Sequence, residues 1–137
     1  MEEVETIEWH IRNARRFMNL SAPDHQVVKY TPLIYLKWLI YFYPHGKNTT
    51  DKQERSTSGV ELKLYDEKME GKYHFSFALK NHICSTAAVA NSTPRQFFKD
   101  TTHGLYEFVP RDQLLKIAEQ EDEFIITITI KAEAKDQ

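Results

Sequence analysis

An antiparallel β-sandwich with one short helix is the fold this chain predicts, and three observations predict it. Apolar and polar residues alternate along several segments, most cleanly where Tyr73, Phe75, Phe77 and Leu79 interleave with His74, Ser76, Ala78 and Lys80. That is the period of a half-buried strand. Turn formers interrupt these segments at short intervals, and the one helical signal is brief. Seven or eight short strands so spaced stack as two sheets.

In chain order, Val4 to Asn13 places Ile7, Trp9 and Ile11 on one face and Glu8, His10 and Arg12 on the other, a first strand. Residues 14–24 carry turn formers and end in Ala22-Pro23-Asp24, so they read as a loop. His25 to Tyr30 is a short strand closed by Thr31-Pro32. Leu36 to Gly46 is rich in aromatic residues and stops at Pro44-His45-Gly46, a turn signature. Alternation puts Trp38, Ile40 and Phe42 on one side and Leu39, Tyr41 and Tyr43 on the other. A strand with one wet face would be polar on that second side. Here it is apolar, so either protein covers both faces or the outer one meets a partner.

Residues 47–59 contain no apolar side chain, so nothing offsets the entropy of ordering them and they read as a mobile surface connection. Val60, Leu62 and Leu64 alternate with Glu61, Lys63 and Tyr65, giving a strand. A turn over 66–71 leads into the strand of Tyr73 to Lys80. Residues 81–94 are ambiguous, with Ser85 to Ala90 reading as an irregular edge strand. Arg95 to Phe98 and His103 to Val109 supply two more. Pro110, Asp112 and Lys116 fit one or two turns of helix. An acidic turn over Glu119 to Glu123 leads into a last strand with Phe124, Ile126, Ile128 and Ile130 facing in.

The 137 residues suit one domain over 1–137 with its core at roughly 5–132. An apolar fraction of 41% and a charged fraction of 28% are those of a soluble globule. A formal charge of −2 argues against phosphate neutralisation, so no nucleic-acid partner is expected. No run approaches the roughly 18 apolar residues that span a bilayer, and no signal-like segment precedes Trp9. The expectation is an intracellular protein, cytoplasmic or nuclear, with no membrane partner. Three Asn-x-Ser/Thr triplets, from Asn19, Asn48 and Asn91, read as chance in that setting.

Little here points to chemistry. Cys84 is the only cysteine, excluding an internal disulfide or a multi-thiolate metal site. His10, His25, His45, His74, His82 and His103 form no H-x-H, H-x3-H or H-E-x-x-H pair, and paired ligands on one element are what specify a metal site. No Asp-x-Asp-x-Asp-Gly loop is present for calcium, and four glycines provide no phosphate-cradling loop. No cofactor, no metal and no catalytic residue is expected.

The order of the strings has a likeness. Trp9-x-Ile11-x-Asn13 is followed by Trp38 with Tyr43-Pro44-x-Gly46, then by Leu62-x-Leu64 and Phe75-x-Phe77-x-Leu79-x-Asn81. Gly104-x-x-x-Phe108-Val109, Arg111-Asp112 and an acidic turn before Ile126-x-Ile128 complete it. The chain resembles the MATH (meprin and TRAF homology) domains over nearly its whole length. The resemblance implies the eight-stranded TRAF-type sandwich. It also implies recognition of short extended segments of other proteins along a sheet edge, often as the substrate-selecting part of a ubiquitin ligase adaptor. The family's groove positions fall on Tyr41, Lys63, Phe75, Arg95, His103, Leu105 and Tyr106, of which only Phe75 keeps the family's residue type.

The outward aromatics meet this reading independently. An edge strand offers unpaired N–H and C=O groups to an added strand. Tyr41, Leu39 and Tyr43 would supply apolar area, while Lys63, Arg95 and His103 would bias the site toward acidic or phosphorylated guests. The alternative is a structural unit that self-associates through the same aromatic face.

Overall fold

The computed structural model describes residues 4–19, 27–30, 38–44, 46, 57–81, 87–91 and 93–133. Two sheets are stacked. One has the order β1 (Val4–Arg12), β9 (Glu123–Ala132), β5 (Gly71–Leu79), β6 (Ala87–Ala90). In this sheet β7 (Arg95–Phe97) also pairs with β5. The other sheet has the order β2 (Val27–Tyr30), β3 (Trp38–Tyr43), β4 (Gly59–Leu64), β8 (Thr102–Leu105). Every strand pairing is antiparallel. Because β6 and β7 meet different stretches of the same edge of β5, nine segments occupy eight positions.

The inward rows are those the alternation marked. Ile7, Trp9 and Ile11, then Tyr73, Phe75, Phe77 and Leu79 of β5, and Phe124, Ile126, Ile128 and Ile130 face Trp38, Ile40, Phe42, Val60, Leu62 and Leu64. Edge-to-face rings tie the layers together: Trp38 meets Tyr73 at 4.9 Å and Phe97 at 5.1 Å, and Phe42 meets Phe124 at 5.7 Å. Such crossings set a ring's positive edge against its neighbour's negative face.

The helical parts differ from the sequence expectation. Ala14–Asn19, within the expected loop, is a short helix α1, whose Ala14 and Met18 are buried four residues apart. Its amphipathic signal spans barely one turn, too little for periodicity to register. The helix after Pro110, α2, runs Arg111–Glu121. It takes in Glu119 and Glu121 and ends at Asp122, whose φ of 53° is left-handed. Leu114, Ile117 and Ala118 supply its buried stripe. The strand expected over 103–109 stops at Leu105. The edge strand expected within 85–90 is β6, over Ala87–Ala90. The expected mobile connection at 47–59 lies outside the described residues up to 56, as do His25, His45, His82 and Cys84.

Two asparagines extend the ladders. Asn81, 4% exposed, donates through Nδ2 to the Glu123 carbonyl (2.7 Å) and accepts from the Ile125 N–H (2.9 Å), acting as one more pairing unit between β5 and β9. Asn91 accepts from the Phe75 N–H and donates to the carbonyls of Tyr73 and Thr93, so this triplet asparagine has a structural task. Replacing Asn81 with alanine leaves a buried N–H and C=O unmatched, and should lower the unfolding free energy by about 1–3 kcal/mol in urea titrations. An unchanged midpoint would show that water replaces the amide.

Candidate recognition face

The outer face of the four-stranded sheet follows from register. Val28, Tyr41, Glu61 and Gly104 lie in one cross-strand row, and Tyr30, Leu39, Lys63 and Thr102 in the next. Of the outward residues of β3, Leu39 is covered (8% exposed) while Tyr41 and Tyr43 are half-buried. The face is therefore partly closed and partly open.

Glu61 is its least expected member. Alternation puts its carboxylate outside the core, where solvent would be the default, yet it is only 2% exposed. The Tyr43 hydroxyl donates to Oε1 (2.7 Å) and the Tyr106 hydroxyl to Oε2. Tyr106 follows β8 and folds back over the sheet. A Cβ on Gly59 would lie 3.0 Å from the Tyr106 ring, and one on Gly104 would lie 2.5 Å from Cζ of that ring and 2.7 Å from Glu61 Cγ. Two glycines on adjacent strands thus make the slot that the ring fills. Burial, then the hydrogen bond to Glu61, pushes the Tyr43 and Tyr106 hydroxyls well above the usual phenol range. They are donors at any physiological pH.

At the margin, β8 pairs with β4 and, among the described residues, with no other strand. Beside it runs β7, the margin of the other sheet. His103 joins the two. Its ring meets Phe97 edge-on at 4.6 Å, its Nε2 donates to the Gln96 carbonyl (2.8 Å), and its Nδ1 accepts from Arg95 Nη2 (2.9 Å). The carbonyl only accepts and the guanidinium only donates, so the pair selects the neutral Nε2–H tautomer.

The seven residues expected in the groove separate into groups. Tyr41, Lys63 and Tyr106 lie on the outer face, and Arg95 is exposed at the margin. His103 and Leu105 share the row of Leu62 and Val60, on the inner side of β8. Phe75 does not join them. It is 2% exposed, in the facing sheet, with its ring against Phe77 and Phe97. The alternation of β5 makes it core, and that local pattern outweighs its match to a groove position. Glu61 and Tyr43 were not foreseen as a pair. The signal was Gly59 and Gly104, each lacking a side chain on an otherwise bulky face.

No protein-family model matches this chain, and no curated protein matches it.

Elsewhere, among the described residues, no three His, Cys, Asp or Glu side chains converge as metal ligands, and no helix is long and apolar enough to cross a membrane. His10 sits between Glu123 (Nδ1 to Oε1, 2.6 Å) and Glu8 (Nε2 to Oε2, 3.2 Å) on the exposed face of β1 and β9. Hydrogen bonds to Glu123 and then Glu8 raise its pKa above 6.5. A raised folded-state value stabilises the fold fully below the unfolded pKa, and that increment fades as pH rises through the folded one. The His10 ring protons should therefore titrate above pH 6.5 in NMR spectra, and Glu123→Gln should lower the midpoint. A midpoint that ignores the substitution would refute the pairing.

Proposed function

We propose that this chain is a protein-interaction module of the MATH type, which takes an extended segment of a partner protein along the β8 margin. The observation that supports it is the terminal strand β8 beside an outer face that keeps Tyr41 and Tyr43 half-open. A guest strand hydrogen-bonding to β8 would satisfy backbone groups on both chains, with its alternate side chains toward Tyr106 and the outer face. The two-sheet antiparallel architecture and the order of strings from Trp9 to Ile128 agree with that family's pattern. In this reading the module selects substrates or partners for a larger assembly, such as a ubiquitin ligase adaptor, and performs no catalysis itself.

Burying about 100 Å² of apolar surface on Tyr41 contributes on the order of 2.5 kcal/mol before ordering costs. Tyr41→Ala should then weaken partner binding by more than ~1 kcal/mol with the fold intact, as truncation of a buried aromatic anchor does. Affinity capture with wild-type and Tyr41→Ala domains, followed by titration of whatever is lost, reads this directly. Equal affinities would remove Tyr41 from the contact surface.

A further inference from the structure

We infer that Arg95 is the residue at the β8 margin that reads a guest's charge, and that the guest segment carries an acidic side chain there, a carboxylate or a phosphate monoester. The inference rests on the proposed strand-binding role and narrows it.

Three cations were candidates for such a preference, and the structure separates them. Lys63 Nζ lies 4.0 Å from Asp100 Oδ1, so a guest anion reaching it would also meet a carboxylate of the chain. His103 has both ring nitrogens committed, one to the Gln96 carbonyl and one to Arg95, in a tautomer that carries no charge. Arg95 remains. It is exposed, and among the described residues no carboxylate lies within ion-pair distance of it. Its Nη2 is held by a neutral acceptor. An imidazole lone pair orients a guanidinium without cancelling its charge, and leaves the other N–H donors of the planar fork unspent.

The orientation is costly to imitate and useful to keep. A free arginine loses rotamer entropy when it engages a ligand, and one already pinned loses less. His103 is itself fixed by the Phe97 ring and the Gln96 carbonyl, so the support reaches back into the core. Among the described residues Glu61 is the one buried acid, 2% exposed, and both its oxygens already accept from tyrosine hydroxyls. A carboxylate or phosphate arriving along β8 would meet a fork that matches its geometry.

A display library of random twelve-residue peptides, selected on the wild-type domain, tests this. Enriched peptides should share Asp or Glu at one fixed position. Changing that residue to its amide should weaken binding about tenfold, the size of one charge-assisted contact. Arg95→Gln should cost the acidic peptide the same factor and leave the amide peptide unchanged, and Arg95→Lys should recover only part of it. Phosphoserine at the fixed position separates the two sources. Tighter binding than glutamate, lost in Arg95→Gln, identifies a phosphorylated guest, and equal or weaker binding identifies a carboxylate. Enriched peptides without an acidic preference, or an Arg95→Gln penalty equal for acidic and amide peptides, would overturn the inference while leaving strand binding in place. Enrichment of no peptide would overturn both.

Discussion

Replacing Trp38 with alanine should lower the unfolding free energy by ~3–5 kcal/mol, the cost of removing a large aromatic from a packed core. The indole is 1% exposed and stands where both sheets meet, edge-on to Tyr73 and Phe97 of the facing sheet. Phe97 in turn touches Phe75 and the His103 ring. A cavity at Trp38 therefore removes support from the group that orients Arg95. Urea unfolding gives the stability loss. A loss below ~1.5 kcal/mol would mean that the surrounding rings collapse to fill the space, as some sites do. The proposed acid discrimination should be lost in this variant before the fold is, because the margin is positioned through this cluster.

Gly104→Val should destabilise the domain by about 2–3 kcal/mol, the upper part of the overpacking range. Valine suits a strand, so propensity favours the change and only collision opposes it. The colliding atoms are the Tyr106 ring and Glu61 Cγ. Dislodging the ring also frees a buried carboxylate oxygen from its donor, which adds a desolvation cost. Removing the ring first separates these effects. In a Tyr106→Ala background the valine should cost less than half as much, leaving a coupling of about 1 kcal/mol or more in the double-mutant cycle. Additive penalties would show that Tyr106 does not occupy the slot between Gly59 and Gly104.

How far the chain could be read from its residues depends on how local each signal is. The inward rows of β1, β3, β4, β5 and β9 follow from alternation alone, because a strand has a period of two and burial selects one parity. The helix after Pro110 was legible from its start and not from its end, since Leu114, Ile117 and Ala118 carry the stripe past the first turn. Helix α1 was not legible, because six residues present too little of a period.

The candidate site was legible only in part, for the same kind of reason. Tyr41 announced itself as an apolar residue where a polar one belonged, a judgement that needs nothing beyond its own strand. Glu61 looked like ordinary solvated charge until Tyr106, 45 residues later, came down across it. The same holds for Arg95 and His103, whose hydrogen bond exists only because the margins of two different sheets run side by side.

From its residues alone, then, the chain determined which side chains face inward and that the strands pair into two layers, because those properties follow from a repeat along one segment. The tertiary structure alone decided which outward residue is covered, which histidine tautomer is held and which cation faces a carboxylate. Each of these depends on atoms that distant strands bring within a few ångströms, and no spacing along the chain encodes that approach.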